Sequence, residues 1–158
     1  VGSEMCIRDS FQGMNRTMCK VASTHGHGTG GYLLTIQLGA EPENEARLMN
    51  WLSSVTLPAL AARAGLCAAH LLLGDQAVSA TPTQEKELRG APDAIADWVV
   101  VVEGYDLPAL TQAKAELTGR DGLILHGAAP VLEAGLYTLD FSLGEDEAKR
   151  VWQLPAAG

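Results

Sequence analysis

The clearest pattern in the chain is an alternation of apolar and polar residues with a period of two, which is typical of half-buried β-strands. In the first such segment, Tyr32, Leu34, Ile36 and Leu38 share one face. In the last one, Tyr137, Leu139, Phe141 and Leu143 alternate with Thr138, Asp140 and Ser142. Three further segments also predict strands: Met14–Ser23, Leu66–Asp75 and Trp98–Val102. The uninterrupted apolar run Trp98–Val102 predicts a central strand that is covered on both faces.

Two helices are predicted between these strands. The first begins near Pro42 among glutamates and carries an apolar stripe at helical spacing: Leu48, Leu52, Val55, Ala59 and Ala62. Pro58 predicts that this helix is kinked or that its first part ends near Leu57. Gly65 is predicted to be its C-cap. Asp106 is a suitable N-cap for the second helix, which stops at Gly119. The order strand, helix, strand, strand, helix, strand predicts an α+β, ferredoxin-like βαββαβ fold, a four-stranded antiparallel sheet with two helices on one face.

The other face of this sheet has no predicted cover and is mixed in polarity. Its predicted polar residues are Thr35, Gln37, Thr138, Asp140 and Ser142. Alternation places His70 on one strand face with Leu66, Ala68 and Leu72. We therefore expect the mixed face to line a cleft or to pack on another sheet. If the face of His70 lines that cleft, His70 is a candidate base and Asp140 a candidate to pair with it or to bind substrate; the simpler interpretations are a hydrogen-bonded structural histidine and a solvated carboxylate.

Composition narrows the classes of partner. The 158 residues are 47% hydrophobic and 19% charged, with a net charge of −8, which predicts one soluble domain and no nucleic-acid partner. The longest uncharged stretch, 48–62, is too short and too polar to span a membrane. The three cysteines have no CxxC spacing, so free thiols and a cytoplasmic location are expected.

The ends of the chain differ from its middle. Residues 1–10 resemble a translated sequencing-adapter read-through and are set aside. Residues 11–31 are predicted to be the remnant strand of an upstream domain followed by a Gly-rich linker. Gly26–Gly31 matches the dinucleotide-binding pattern GxGxxG, but it opens a strand rather than a helix, so we interpret it as a linker and not as a nucleotide site. The predicted domain is 32–144, and 145–158 is an acidic, partly mobile tail.

Three segments together resemble the dimeric α/β-barrel superfamily, and within it the EthD-like group. They are Trp51–Pro58, Ala64–His70 and Ala96–Gly104, and the resemblance covers about Tyr32 to Leu143. It implies that two sheets face each other to form a barrel, either in a homodimer or with the upstream domain of a tandem protein. The stretch Phe11–Gly31 resembles the junction between the two domains of tandem members, so this chain is expected to be the C-terminal half of such a protein.

The chain departs from the family pattern at Thr56, where EthD-like members carry the histidine of an EHLP segment. Thr56 cannot act as an imidazole base, so the catalytic candidates are His70 and Asp140. The candidates for a ligand cleft are Thr35, Gln37, Thr56, Thr138 and Ser142. No metal site is predicted, because His25 and His27 lack a third ligand at a suitable spacing. No cofactor is predicted.

Two functions remain open at the level of sequence. The first is a degenerate or structural barrel domain that completes a ligand cleft in a tandem or dimeric protein. The alternative is a cofactor-independent oxygenase or isomerase of the EthD-like kind, which would act on a small aromatic or polyketide-like molecule. In that enzyme His70 or Asp140 would accept a proton, while Gln37 or Thr35 would donate hydrogen bonds.

Overall fold

The computed structural model of the protein describes residues 17–75 and 97–152. It is an α+β fold built on an antiparallel sheet. The strands are β1 (Cys19–Gly26), β2 (Tyr32–Ala40), β3 (Leu66–Gly74), β4 (Trp98–Gly104) and β5 (Ala128–Thr138). The helices are α1 (Glu45–Trp51), α2 (Leu57–Ala61), α3 (Leu107–Thr118) and α4 (Glu145–Trp152), with a π-helical segment, Leu52–Thr56, between α1 and α2.

Within the part of the chain that the structure describes, the sheet has five strands in the order β1-β3-β4-β2-β5, so the prediction of a four-stranded sheet was wrong. The fifth strand is β1, which pairs antiparallel with β3 and keeps that pairing as far as Gly26. The predicted strand Met14–Ser23 thus begins and ends later than expected. His25 and its neighbours belong to this strand rather than to a linker, because their backbone groups complete the edge of the sheet.

The first helical stripe contains a register change that its apolar spacing did not predict. Leu48, Leu52 and Leu57 are fully buried, whereas Val55 is 57% exposed. In an α-helix Leu57 would lie about 140° around the axis from Leu52. The Leu57 N–H donates instead to the Leu52 carbonyl, five residues back, and this wider turn returns Leu57 to the buried face. Pro58, which has no N–H, follows at the start of α2.

One core joins the helices to one face of the sheet. Leu34 and Ile36 of β2 and Val100 and Val102 of β4 are fully buried. The helices contribute Leu48, Leu52, Leu57, Leu60, Leu110, Ala113 and Leu117 to the same cluster. Asp106 caps α3 as expected, since its Oδ2 accepts a hydrogen bond from the Ala109 N–H at 3.1 Å.

The last strand lies earlier in the chain than its alternation predicted. Strand β5 covers Ala128–Thr138, and its Leu132, Ala134 and Leu136 pack against the core. Leu136 pairs with Leu34 and Tyr137 with Leu33. Shifting a strand by one residue exchanges its two faces, so Tyr137 faces away from the helices. The segment predicted as a mobile tail begins with helix α4.

The segment from residue 27 to 31 crosses the ends of β3 and β4 to join β1 to β2. These two strands lie three steps apart in the sheet, roughly 14 Å. The His27 N–H donates to the Cys67 carbonyl at 3.1 Å, and Gly30 is buried against the backbone of Gly104. This crossing is therefore packed against the sheet rather than free, which corrects the prediction of a flexible linker.

Some predictions lie outside the described residues: the adapter-like segment 1–10, the start of the predicted strand Met14–Ser23, and the final residues 153–158 of the predicted tail. Within 17–75 and 97–152, none of the helices has the length and the run of apolar residues needed to cross a membrane.

Candidate functional site

The candidate site is the sheet face opposite the helices, which we call the open face. Strand register places the same-facing residues of neighbouring strands in rows. The middle row runs Gly135, Thr35, Val101, His70 and Thr24. The row on one side of it runs Tyr137, Leu33, Glu103 and Ala68, and the row on the other side runs Glu133, Gln37, Val99, Leu72 and Val21.

The centre of the open face is apolar. Leu33, Val99, Val101 and Leu72 are all of intermediate exposure, whereas Val100 and Val102 on the helix side are fully buried. Strand β4 was correctly predicted to be central. The prediction that β4 is covered on both faces is wrong for the described residues, because the core residues of the helices pack against only one face of the sheet.

A polar network lies beside this apolar centre. His70 Nδ1 is 3.1 Å from Thr24 Oγ1, and His70 Nε2 is 3.4 Å from Glu103 Oε1. The second carboxylate oxygen, Glu103 Oε2, accepts a hydrogen bond from the Gly30 N–H at 3.3 Å. Both nitrogens of the imidazole therefore have partners, and the network links β1, β3, β4 and the crossing segment.

The network corrects two expectations about His70. Its acidic neighbour is Glu103 rather than Asp140, which lies exposed after the end of β5, on the far side of β4 and β2. Leu66 does not share the face of His70, because the pairing of β3 with β4 shifts by one residue between Leu66 and Ala68. This bulge at Cys67 turns Leu66 towards the core.

The five predicted cleft residues lie in four different places. Thr35 and Gln37 lie on the open face, as predicted. Thr138 pairs with Tyr32 and is therefore in register with the helix side of the sheet. Thr56 belongs to the π-helical segment in the helix layer. Ser142 lies beyond β5 and is exposed, so the structure does not bring these five residues together.

Tyr137 is an open-face residue that the sequence reasoning assigned to the core. A Cβ built on Gly135 would lie 2.6 Å from the Tyr137 hydroxyl oxygen and 2.8 Å from two ring carbons. The ring thus folds back over Gly135, next to Thr35, and forms an aromatic wall at one side of the face. In the sequence, a glycine two residues before an aromatic residue on an edge strand was the pattern that could have indicated this packing of the ring.

Cys67, at the bulge, is a second residue that sequence reasoning did not connect with this site. Burial raises the pKa of its thiol, and the nearby Glu103 carboxylate raises that pKa further. Removing the negative charge with Glu103→Gln should lower the pKa of Cys67 and increase its thiolate fraction near pH 8. We expect Cys67 to be alkylated by iodoacetamide about twofold faster in this variant.

Mass spectrometry of the Cys67 peptide measures this rate without interference from the other cysteines. Glu133→Gln is the matched control, because Glu133 lies on β5 at the other side of the open face. Equal alkylation rates in Glu103→Gln and the unaltered protein would show that Glu103 does not act on this thiol.

Metal-binding residues do not cluster in the described segments. Across residues 17–75 and 97–152, no group of three or more His, Cys, Asp or Glu side chains is arranged to hold a metal ion. His25, considered above as a possible ligand with His27, has its Nε2 2.9 Å from Ser23 Oγ.

Comparison with known proteins yields a fold but no family. No protein-family model matches the chain, and no curated protein matches it. Among solved structures the chain is similar to one described as "Structure of a major regulator of staphylococcal pathogenesis". The similarity has a TM-score of 0.52 at 11% sequence identity and covers 82% of this chain and 74% of the other. At this identity the likeness concerns the α+β, antiparallel-sheet architecture alone.

Proposed function

We propose that the protein is a non-catalytic domain of the dimeric α/β-barrel type, whose open face packs against a second sheet and encloses a small apolar ligand. The observation that carries this proposal is the pair Val99 and Val101. They lie at the centre of the open face in the central strand and are only half-buried. A chain selected to function as an isolated sheet-and-helix layer would place polar side chains there.

The strand order supports the barrel type. Without β1, the order is β3-β4-β2-β5, with α1 and α2 following the first of these strands in the chain and α3 following the third. This order is similar to the split βαβ order of ferredoxin-like domains, which supports the proposed barrel type. Such a domain covers one face of its sheet with its own helices and leaves the other for a partner.

The size of the open face also fits a partner sheet. Five strands spaced by about 4.8 Å, each sharing about seven residues at roughly 3.3 Å, give a projected area of roughly 550 Å². The accessible surface of a side-chain layer exceeds its projection, and a standard interface buries about 800 Å² per partner. The partner is a second copy of the chain or an upstream domain of a tandem protein.

The proposal predicts that Val101→Lys abolishes assembly. In a pair of facing sheets this substitution would bury two unpaired ammonium groups close to each other at the centre of the interface. The matched control is Val55→Lys, since Val55 is 57% exposed in the helix layer. Light scattering and thermal unfolding at several protein concentrations measure the outcome.

We expect a dimer with a concentration-dependent melting temperature for the unaltered protein and for Val55→Lys, and a monomer for Val101→Lys. A dimer that survives Val101→Lys would show that the open face is not the interface. A monomeric unaltered chain with a concentration-independent melting temperature would remove the homodimer, and a ligand cleft between two copies with it.

The alternative function is the cofactor-independent oxygenase or isomerase. It is favoured by the proximity of Glu103 to His70 on the open face, because a carboxylate commonly orients a catalytic imidazole. Against it, both imidazole nitrogens of His70 already have partners, so proton transfer requires one contact to open. Oxygen consumption with hydroxylated polycyclic aromatics, compared between the unaltered protein and His70→Gln, tests this function. Consumption that His70→Gln abolishes would replace the non-catalytic proposal.

A further inference from the structure

The segment that follows β5 carries an exposed apolar stripe, which we call the arm stripe: Leu139, Phe141 and Leu143. Their side chains are 46%, 78% and 54% exposed, while the alternate residues Thr138, Asp140 and Ser142 are polar and also exposed. Three large apolar side chains exposed within five residues are unusual for a monomer and indicate an interaction surface.

The first residue of the arm stripe, Leu139, continues the open face. Tyr137 pairs with Leu33 and lies on that face. Two residues later, the Leu139 N–H donates to the Gly31 carbonyl at 2.9 Å, which extends the pairing with the β2 side of the sheet. Side chains two residues apart in an extended chain point to the same side, so Leu139 lies on the side of the open face.

We propose that the arm stripe is a second part of the homodimer interface and packs against the sheet of a second copy of this chain. This inference rests on the proposed pairing of open faces and names where that pairing extends beyond the sheet. The occupant we assign is another copy of the chain, because in a two-fold symmetric pair each copy would place its own stripe at the edge of the other's sheet.

The area needed by a stable dimer favours this occupant. The projected area of the open face, roughly 550 Å², is a lower bound on its accessible surface, and the arm stripe adds to that surface towards the about 800 Å² per partner of a standard interface. A fully buried aromatic side chain contributes about 150 to 250 Å², and Phe141 is the most exposed large apolar residue of the described chain. In a two-fold symmetric dimer both copies bury their own arm stripe, so the interface gains the buried area of two stripes.

The test is the dissociation constant of the dimer for Phe141→Ser, measured by sedimentation or light scattering. Loss of two buried phenylalanines per dimer should raise this constant roughly 100-fold. Leu143→Ser should act in the same direction with a smaller increase. Leu125→Ser is the matched control, because Leu125 is 58% exposed but lies in the loop before β5, outside the sheet, and it should leave the constant unchanged.

A second measurement separates assembly from folding. In the monomeric Val101→Lys background, adding Phe141→Ser should leave the melting temperature unchanged. A lower melting temperature there would show that Phe141 packs within its own chain and would overturn the inference.

The outcomes also separate this inference from the proposal on which it rests. If Phe141→Ser and Leu143→Ser dimerise like the unaltered protein while Val101→Lys does not, the arm stripe is outside the interface and the pairing of open faces stands. If none of these variants changes the mass of the protein in solution, both the pairing and the role of the arm stripe are wrong.

Discussion

Gly30→Ala is expected to destabilise the protein by about 3 kcal/mol, which lowers the melting temperature of a chain of this size by roughly 10 °C. Gly30 is buried where the crossing segment passes the end of β4. A Cβ built there would lie 2.7 Å from the carbonyl carbon of Gly104 and would also collide with its carbonyl oxygen. The obstacle is backbone in the central strand, so a side-chain rotation cannot relieve it.

Gly31→Ala provides a closely matched control. Gly31 is the next residue, and a Cβ there would meet no atom within 4 Å. Its backbone does not require a positive φ, so alanine should be neutral or stabilise the protein by a few tenths of a kcal/mol through the unfolded state. Thermal unfolding of both variants is the measurement. Equal melting temperatures would mean that the crossing segment does not pack on β4 as described.

Leu57→Ala is the second substitution with a large expected effect. Leu57 is fully buried, and truncating a buried leucine typically costs about 2 to 5 kcal/mol. The result also tests the π-helical register, because a regular α-helix running from Leu48 would turn Leu57 away from the core and bring Val55 towards it.

The control for this register is Val55→Ala in the same segment. Val55 is 57% exposed, so its truncation should change the free energy of unfolding by no more than about 0.5 kcal/mol. Chemical denaturation of the two variants gives both values. A larger loss for Val55→Ala than for Leu57→Ala would contradict the wide turn and restore the stripe expected from helical spacing.

The π-helical segment shows what hydrophobic periodicity can predict about a helix and what it cannot. The sequence pattern located the helix, its acidic start and the interruption at Pro58. The pattern did not predict which side of the helix is buried after Leu52. One extra residue in a turn leaves the local composition unchanged, and only the hydrogen bond from the Leu57 N–H to the Leu52 carbonyl reveals it. The same holds for the bulge at Cys67, which separates Leu66 from the face of His70.

The position of the last strand shows a second limit. Both Leu132–Leu136 and Tyr137–Leu143 contain alternating apolar residues, but only the second segment was predicted to be a strand. Only pairing with β2 selects the first, because Leu132, Ala134 and Leu136 then complete the core below Leu34 and Ile36. The choice moved Asp140 and Ser142 out of the sheet and Tyr137 onto its open face.

The candidate site was predicted in part for the same reason. Thr35 and Gln37 lie in β2, where a single strong alternation fixes the face, and both are on the open face as expected. Glu103 and Thr24 were missed as neighbours of His70, because they are 33 and 46 residues away from it in the chain. Their proximity follows from the order β1-β3-β4-β2-β5.

The sequence by itself determined the class of fold, the central position of β4, the two helical segments on one face of the sheet and the polar character of Thr35 and Gln37. These features depend on local periodicity and on the burial preference of single side chains. The tertiary structure alone decided that β1 joins the sheet beside β3, and it decided the helix register, the position of β5 and the partners of His70. Those depend on which strands become neighbours, and a hydrogen bond between distant residues leaves no periodic trace in the chain.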